Sequence, residues 1–199
     1  IDQHPDAANI WPMIVMDKIP VDAAGVHLDR NGHPYALIDY DGTPGWTLTA
    51  SHECLEMLAD PFGDRMRAAP SIKPGQGKVR YLVEVCDPNE ADEFAYEIDG
   101  VTVSDFYFPS YFRTTAPAGT PFSFTGAITR PLQVLRGGYL SWMDPATRHW
   151  WQQIWFSVNA PTFRDLGSDT AGNPRRFTNV EADIPMEVFQ PSDRSRAGA

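Results

Sequence analysis

The sequence predicts an α+β fold in which one helix lies between groups of short strands. Trp46 through Asp60 is the longest stretch of helical pattern without a Gly or Pro interruption, and Asp60-Pro61 is expected to end it because proline disfavours helical geometry in the residue before it. Asn31-Gly32 and Asp99-Gly100 each separate strand-like runs, as two-residue hairpin turns do. We therefore predict a single domain over residues 1–199, with the helix at about 47–60 and a hydroxyl cap from Thr47 or Thr49.

Short strands are predicted both before and after the helix in the sequence. An arm through Ala8, a surface loop at 62–78 and a loop-rich tail at about 160–199 are expected around them, because these stretches are polar or rich in Gly and Pro. The resulting picture is a small mixed sheet packed on the helix and a C-terminal half of hairpins and loops. The strands are expected at Ile10–Met16, with Pro12 favouring a sheet edge, at Gly25–Leu28, Tyr35–Tyr40, Tyr81–Asp87, Phe94–Ile98 and Val101–Phe106, and in short runs between 132 and 156.

The amino-acid composition limits the classes of binding partner that we expect. The formal charge of −10 and the absence of Lys/Arg clusters exclude nucleic acid and anionic membranes as expected partners. The sequence contains no apolar run of transmembrane length and no recognisable signal peptide, and it leaves the compartment open. Because it starts at Ile1 without a Met, three alternatives stay open: a trimmed chain, a processed chain or an internal part of a longer protein. Cys54 and Cys86 are too few for a cysteine-type zinc site; they are expected to be buried thiols, with a single bridge left open.

The predicted helix has two unlike sides. At about 100° per residue, His52, Glu56 and Asp60 follow one another at i, i+4 and i+8, and Glu53 lies at the edge of this acidic row. The opposite side is apolar, and as on an ordinary surface helix it is the side expected to pack on the protein. It carries Leu48, Leu55 and Leu58, with Ser51 and Cys54 beside them.

The acidic row suggests a metal site. Carboxylates at i and i+4 repel one another, and a bound cation would turn that repulsion into attraction. The order His52-Glu53-x-x-Glu56 differs by one ligand from the His-Glu-x-x-His helix, in which two side chains hold zinc and the Glu is the general base. The alternative is a solvated charged face with no ion.

Two further acidic positions follow the helix. Glu84 interrupts an apolar strand, so it is either buried and paired, hydrogen-bonded or metal-bound, or it faces water from an edge strand. Asp87 begins an acidic loop that continues through Glu90 to Glu93. That loop is either a solvated turn or, together with Asp60, part of a hard-cation site.

These motifs resemble a group of bacterial and phage-encoded proteins associated with zincin-like metallopeptidases. The resemblance rests on Ser51-His52-Glu53-x-Leu55-Glu56 with Asp60-Pro61, on Glu84–Asp87, and on Val103–Phe106. It implies a zincin-like α+β fold and a zinc-dependent hydrolase that acts on a peptide or protein substrate.

In that hypothesis His52 and Glu56 hold Zn²⁺, with a third ligand from Asp60, Glu84 or Asp87. Glu53 is the general base toward a metal-bound water, and a tyrosine of the 107–111 block or His149 steadies the oxyanion. Because Glu56 stands where the peptidases have His, the site is also open to Ca²⁺ or another divalent cation.

Two alternatives remain. One is a non-catalytic structural or interaction module, for example in a virion, in which the same residues hold a structural cation and the partner is a structural protein. The other is a glycoside hydrolase that uses Glu53 or Glu56 with the tryptophan-rich segment 148–156 as a sugar platform. Carboxylates three residues apart on one helix are poorly placed to flank a glycosidic bond.

Overall fold

The protein has a mixed α+β fold, as the sequence predicts. The computed structural model describes residues 10–156 and 159–168. In chain order the elements are β1 (Met13–Met16), β2 (Gly25–Arg30), β3 (His33–Asp39), α1 (Trp46–Ala59), β4 (Met66–Pro70), β5 (Lys78–Leu82), β6 (Tyr96–Ile98), β7 (Val101–Val103), β8 (Tyr139–Asp144), β9 (His149–Ile154) and β10 (Thr162–Ser168). No helix in these ranges has both the length and the apolar character that crossing a bilayer requires.

The first sheet is mixed and has the order β1-β3-β2. Strand β1 runs parallel to β3, and β2 runs antiparallel to it. The β2–β3 hairpin turns at Asn31 and Gly32, whose φ angles of 54° and 79° are those of a type I′ turn. This confirms the predicted hairpin, and β1 lies at a sheet edge as Pro12 suggested.

Helix α1 ends at the residue before Pro61, as predicted, but its N-terminus differs from the prediction. Asp60 is its C-cap, directly before Pro61. At the other end Gly45 occupies the N-cap and no side chain caps the helix. The predicted threonine cap is wrong, because the Thr47 hydroxyl donates instead to the carbonyl of Pro44 at 3.1 Å.

The buried side of α1 is the acidic one, which reverses the expectation from its apolar pattern. Glu53, Glu56 and Met57 are its buried residues, while Leu58 is 63% exposed. Met57 packs on Ala36 and Ile38 of β3, a small apolar contact. Because that contact needs few apolar atoms, the helix can turn its carboxylates inward, where the segment after β5 covers them.

The second sheet has five strands in the order β10-β9-β8-β5-β4 and contains the larger core. Its centre includes Tyr81 and Trp142, whose ring centroids lie 5.7 Å apart. Tyr107 and Tyr111 stack at 4.2 Å in the same cluster, so the aromatic block of the sequence fills the core. A separate hairpin, β6–β7, turns at Asp99 and Gly100 with φ angles of 51° and 80°, which confirms the second predicted hairpin.

Several predicted segments differ in extent; the predicted strand at 101–106, for example, ends at Val103. The predicted strand at 81–87 ends at Leu82, so Glu84 follows the strand, and it is buried rather than facing water. The predicted loop at 62–78 contains β4, because its apolar Ala69 joins the core beside β5. The predicted loop-rich tail begins with β10, which pairs with β9; the tail from residue 169 and the arm through Ala8 lie outside the described residues.

Gly138 holds β8 against the segment that follows β5. A Cβ atom at this position would lie 2.6 Å from the carbonyl oxygens of Asp87 and Pro88. Leu135 N–H also donates to the Pro88 carbonyl at 2.8 Å. The close backbone approach therefore requires glycine, and it fixes the position of Asp87.

We expect Gly138→Ala to destabilise the protein by about 1–3 kcal/mol, because backbone atoms cannot move aside as a flexible side chain does. Gly77→Ala is the matched control, since nothing lies within 4 Å of a Cβ built there. Urea denaturation of both variants measures the difference. Equal midpoints for Gly138→Ala and the wild type would contradict this packing.

Candidate metal centre

A cavity of about 370 Å³ opens beside the buried side of α1. Its walls come from α1, the start of β2, the segment after β5 and Tyr139 at the start of β8. Among the described residues that line it, none is a lysine or an arginine. Its lining is strongly acidic and includes Glu53, Glu56, Glu84, Asp87 and Glu90.

Glu56 lies at the centre of this acidic cluster. Its Oε1 accepts a hydrogen bond from the backbone N–H of Cys86 at 3.1 Å, which fixes the carboxylate. Its Oε2 lies 3.3 Å from His52 Nε2 and 3.7 Å from His27 Nδ1. One carboxylate oxygen therefore faces two imidazoles that come from different elements.

Two sets of donor atoms lie in this region, one of which includes Glu56, and in each set the atoms lie within 4.8 Å of one another. The outer group comprises His52, Asp87 and Glu90, of which His52 and Glu90 are partly exposed. The inner group comprises His27, Glu56 and Glu84, all buried. A span of 4.8 Å fits around one ion whose ligands are about 2.0–2.4 Å away.

In the outer group, His52 Nε2 contacts two carboxylates. It lies 3.4 Å from Asp87 Oδ1 in addition to its contact with Glu56. The helix supplies His52 and Glu56, and the 3₁₀ turn Asp87–Asn89 supplies Asp87. The structure thus brings together three of the residues that the sequence singled out.

In the inner group, His27 is held from both ring nitrogens. Its Nε2 lies 3.1 Å from the backbone carbonyl of Asp60 and 3.6 Å from Glu84 Oε2. Its Nδ1 lies 3.3 Å from Glu53 Oε2. His27 is 1% exposed, so these contacts are shielded from water.

Burial and neighbouring charges shift the pKa values of His52, Glu56 and Asp87. Burial alone would lower the pKa of His52, but the negative charge of Glu56 and the hydrogen bonds to Asp87 and Glu56 together outweigh it and hold that pKa well above the usual value. Burial likewise opposes ionisation of Glu56, yet the charge of His52 and a hydrogen bond to it lower the pKa of Glu56. Burial, and then the charge of Glu56, raise the pKa of Asp87 well above its ordinary value.

Glu53 lies against β2 at a position that only glycine leaves room for. A Cβ atom on Gly25 would come within 2.8 Å of Glu53 Oε1 and Cγ. Glu53 is 6% exposed and lines the cavity, with Oε2 directed at His27. The proposed general base is therefore inside the acidic cavity, next to an imidazole.

The other sequence-predicted residues lie in different surroundings. Asp60 belongs to neither group: its carboxylate accepts the backbone N–H groups of Asp64 and Arg65 at 3.2 and 2.9 Å, which stabilises the turn after α1. His149 lies on β9 and pairs with Asp165 at 3.0 Å, outside the cavity. Cys54 and Cys86 are free thiols, and burial raises the pKa of Cys86 well above its usual value.

Three residues of the cavity were not predicted from the sequence as site residues. His27 lies in an ordinary alternating strand, Glu90 lies in an acidic loop considered only as a whole, and Tyr139 follows two glycines. Burial, and then nearby carboxylates, raise the pKa of Tyr139 well above its ordinary value, so its hydroxyl remains a hydrogen-bond donor. The sequence feature that could have drawn attention to Tyr139 is the preceding pair Gly137-Gly138, because glycines often mark a close backbone approach.

Comparisons of the chain with protein-family models, with curated protein sequences and with solved structures gave no match.

The acidic loop gives a pH-dependent stability in the metal-free protein. Burial raises the pKa of Glu90 from 4.5 to about 7, and the charges of Glu56 and Glu53 add to that rise. Because the folded-state pKa is the higher one, ionising Glu90 costs stability. The cost is absent below pH 4.5, develops between pH 4.5 and about 7, and is complete above that range.

In the presence of a chelator, we expect Glu90→Gln to raise the melting temperature at about pH 8 by roughly 3–6 °C, equivalent to about 1–2 kcal/mol. Near pH 4.5 the variant and the wild type should melt alike. Glu93→Gln, at an exposed position three residues further on, is the control and should change little at either pH. An equal shift at both pH values would show that Glu90 does not titrate as described.

Proposed function

We propose that this protein is a zincin-like, divalent-metal-dependent hydrolase that cleaves peptide bonds. His52 and Glu56 from α1 and Asp87 from the following segment hold the ion, with Glu90 beside them. The observation that carries the proposal is that His52 Nε2 lies against both Glu56 Oε2 and Asp87 Oδ1, in an acidic cavity with no lysine or arginine in its described lining. Zn²⁺ is the first candidate, and the carboxylate-rich donor set also suits Mn²⁺, Mg²⁺ or Ca²⁺.

Donor spacing supports this assignment. Around a tetrahedral ion with ligands about 2.0–2.2 Å away, neighbouring donor atoms lie roughly 3.3–3.6 Å apart. The distances from His52 Nε2 to Glu56 Oε2 and Asp87 Oδ1 are 3.3 and 3.4 Å. These separations are somewhat longer than a good hydrogen bond and match the edge of a coordination tetrahedron.

The remaining cavity residues have roles that follow from their chemistry. A divalent cation in this position would polarise a substrate carbonyl and make a nearby water more acidic. Glu53 is the group that takes the proton from the attacking water, because its carboxylate lies in the cavity next to the donor set. Tyr139 donates a hydrogen bond to the oxyanion, since its hydroxyl stays protonated and its side chain lines the same cavity.

The zincin-like part of the proposal is supported by how α1 is placed. The helix with the His-Glu pair packs on a mixed sheet and turns that pair toward a cavity. The chain differs in its other ligands, which are carboxylates rather than a second helical histidine. A more anionic donor set makes the ion a weaker Lewis acid, so turnover is expected to be slow.

Metal content and peptide hydrolysis together test the proposal. We expect elemental analysis of the purified chain to find a divalent metal, and quenched fluorescent peptides to be cleaved in a chelator-sensitive way. Glu53→Gln should keep the metal and lose about 10²–10⁴-fold in kcat, because it removes the base without removing a ligand. Glu93→Gln, which alters an exposed carboxylate of the same region, should retain both.

Each contrary result removes a different part of the proposal. Full activity in Glu53→Gln would exclude Glu53 as the base. A bound metal with no hydrolysis of any peptide, and a melting temperature that a chelator lowers, would instead identify the non-catalytic, metal-stabilised module.

A further inference from the structure

The inner group is a second set of ligands directly behind the outer one. Its Glu56 carboxylate also reaches the outer group: Glu56 Oε2 is 3.3 Å from His52 Nε2 and 3.7 Å from His27 Nδ1. A single ion bound by His52, Glu56 and Asp87 leaves His27 and Glu84 outside its coordination. The inner group is therefore a separate set of potential metal ligands.

His27 has the surroundings of a metal ligand. A histidine that binds a metal through one ring nitrogen donates its other N–H to a carbonyl or carboxylate, which fixes the ring. Here Nε2 faces the Asp60 carbonyl at 3.1 Å, and Nδ1 faces Glu53 Oε2 at 3.3 Å. Whichever nitrogen binds an ion, the other has its acceptor in place.

Charge balance favours two ions over one. Six carboxylates line the cavity: Glu53, Glu56, Glu84, Asp87, Glu90 and Asp92. Fully ionised, they contribute six negative charges, of which one divalent cation balances two and a pair balances four. Glu53, Glu56, Glu84 and Asp87 are buried, where uncompensated charge is costly.

We propose that the cavity holds two divalent cations, one in the outer and one in the inner group, with the Glu56 carboxylate bridging them. The inference rests on the proposed metal-binding function and extends it from a mononuclear to a dinuclear centre. Two histidines and four carboxylates, His27, His52, Glu56, Glu84, Asp87 and Glu90, form the donor set. That is the ligand composition of the di-metal carboxylate centres of helical bundles, built here on one helix, one strand and one loop segment.

Metal stoichiometry and magnetic coupling test this centre without any need for activity. The full chain, stripped with a chelator and dialysed, is titrated with Mn²⁺ and followed by calorimetry, elemental analysis and electron paramagnetic resonance. We expect two Mn²⁺ per chain and, at saturation, the exchange-coupled signal of a bridged pair in place of the mononuclear one. Ions about 3.5–4 Å apart across a carboxylate couple in this way.

Variants assign the two ions to their groups. His27→Gln is expected to bind one Mn²⁺ with an uncoupled signal, and Asp87→Asn to bind the outer ion at least tenfold more weakly. His33→Gln, an exposed histidine at the tip of the same hairpin, is the control and should still bind two. The wild-type titration decides the question even if a buried substitution prevents folding.

The outcomes separate this inference from the function on which it rests. One Mn²⁺ per chain would overturn the dinuclear centre and leave the proposed hydrolase intact. Two uncoupled ions would overturn the Glu56 bridge. No bound ion would remove both the centre and the proposed function.

Discussion

The structure depends on the burial of the acidic side of α1. Glu53 and Glu56 point inward, where Glu84 and Asp87 join them from the segment after β5. Carboxylates are among the most costly groups to bury, and His27 and His52 form ion pairs with this cluster. Three effects reduce the cost of this burial: the raised pKa of His52 favours its charged form, the raised pKa values of Asp87 and Glu90 favour their neutral forms, and bound cations would balance the remaining charge.

Much of the surrounding architecture serves to place these few side chains. Gly25 lets β2 approach α1 closely enough for His27 to reach Glu53 and Glu56, and Gly138 lets β8 press on the turn that carries Asp87. The Ser51 hydroxyl accepts the Ser104 N–H at 2.9 Å, and the Cys86 N–H holds Glu56 from the other side. A rigid support of this kind is what a binding site needs, because its donors must keep their mutual distances before the ligand arrives.

Local signals predicted the parts of the fold that are local. The two hairpin turns and the end of α1 at Asp60 follow from residues that restrict the backbone, and the structure has all three. The pair His52 and Glu56 was visible because i, i+4 residues share a helix face. The prediction of which helix face is buried was wrong. Periodicity identifies the residues that share a face but not the element that covers them, and here Met57, next to Glu56, packs on β3. His27 and Glu90 could not be found, because only the tertiary fold brings a residue of β2 and a residue of a later loop to the same helix.

The central claim is that cations, not solvent, compensate the inward carboxylates of α1. Crystallography of protein purified without added metal, with diffraction measured on both sides of the absorption edge of the metal it retains, tests this most directly. The account predicts an anomalous peak about 2.0–2.4 Å from His52 Nε2 and Glu56 Oε2. Ordered water alone among these side chains, in protein whose melting temperature no divalent metal changes, would contradict it.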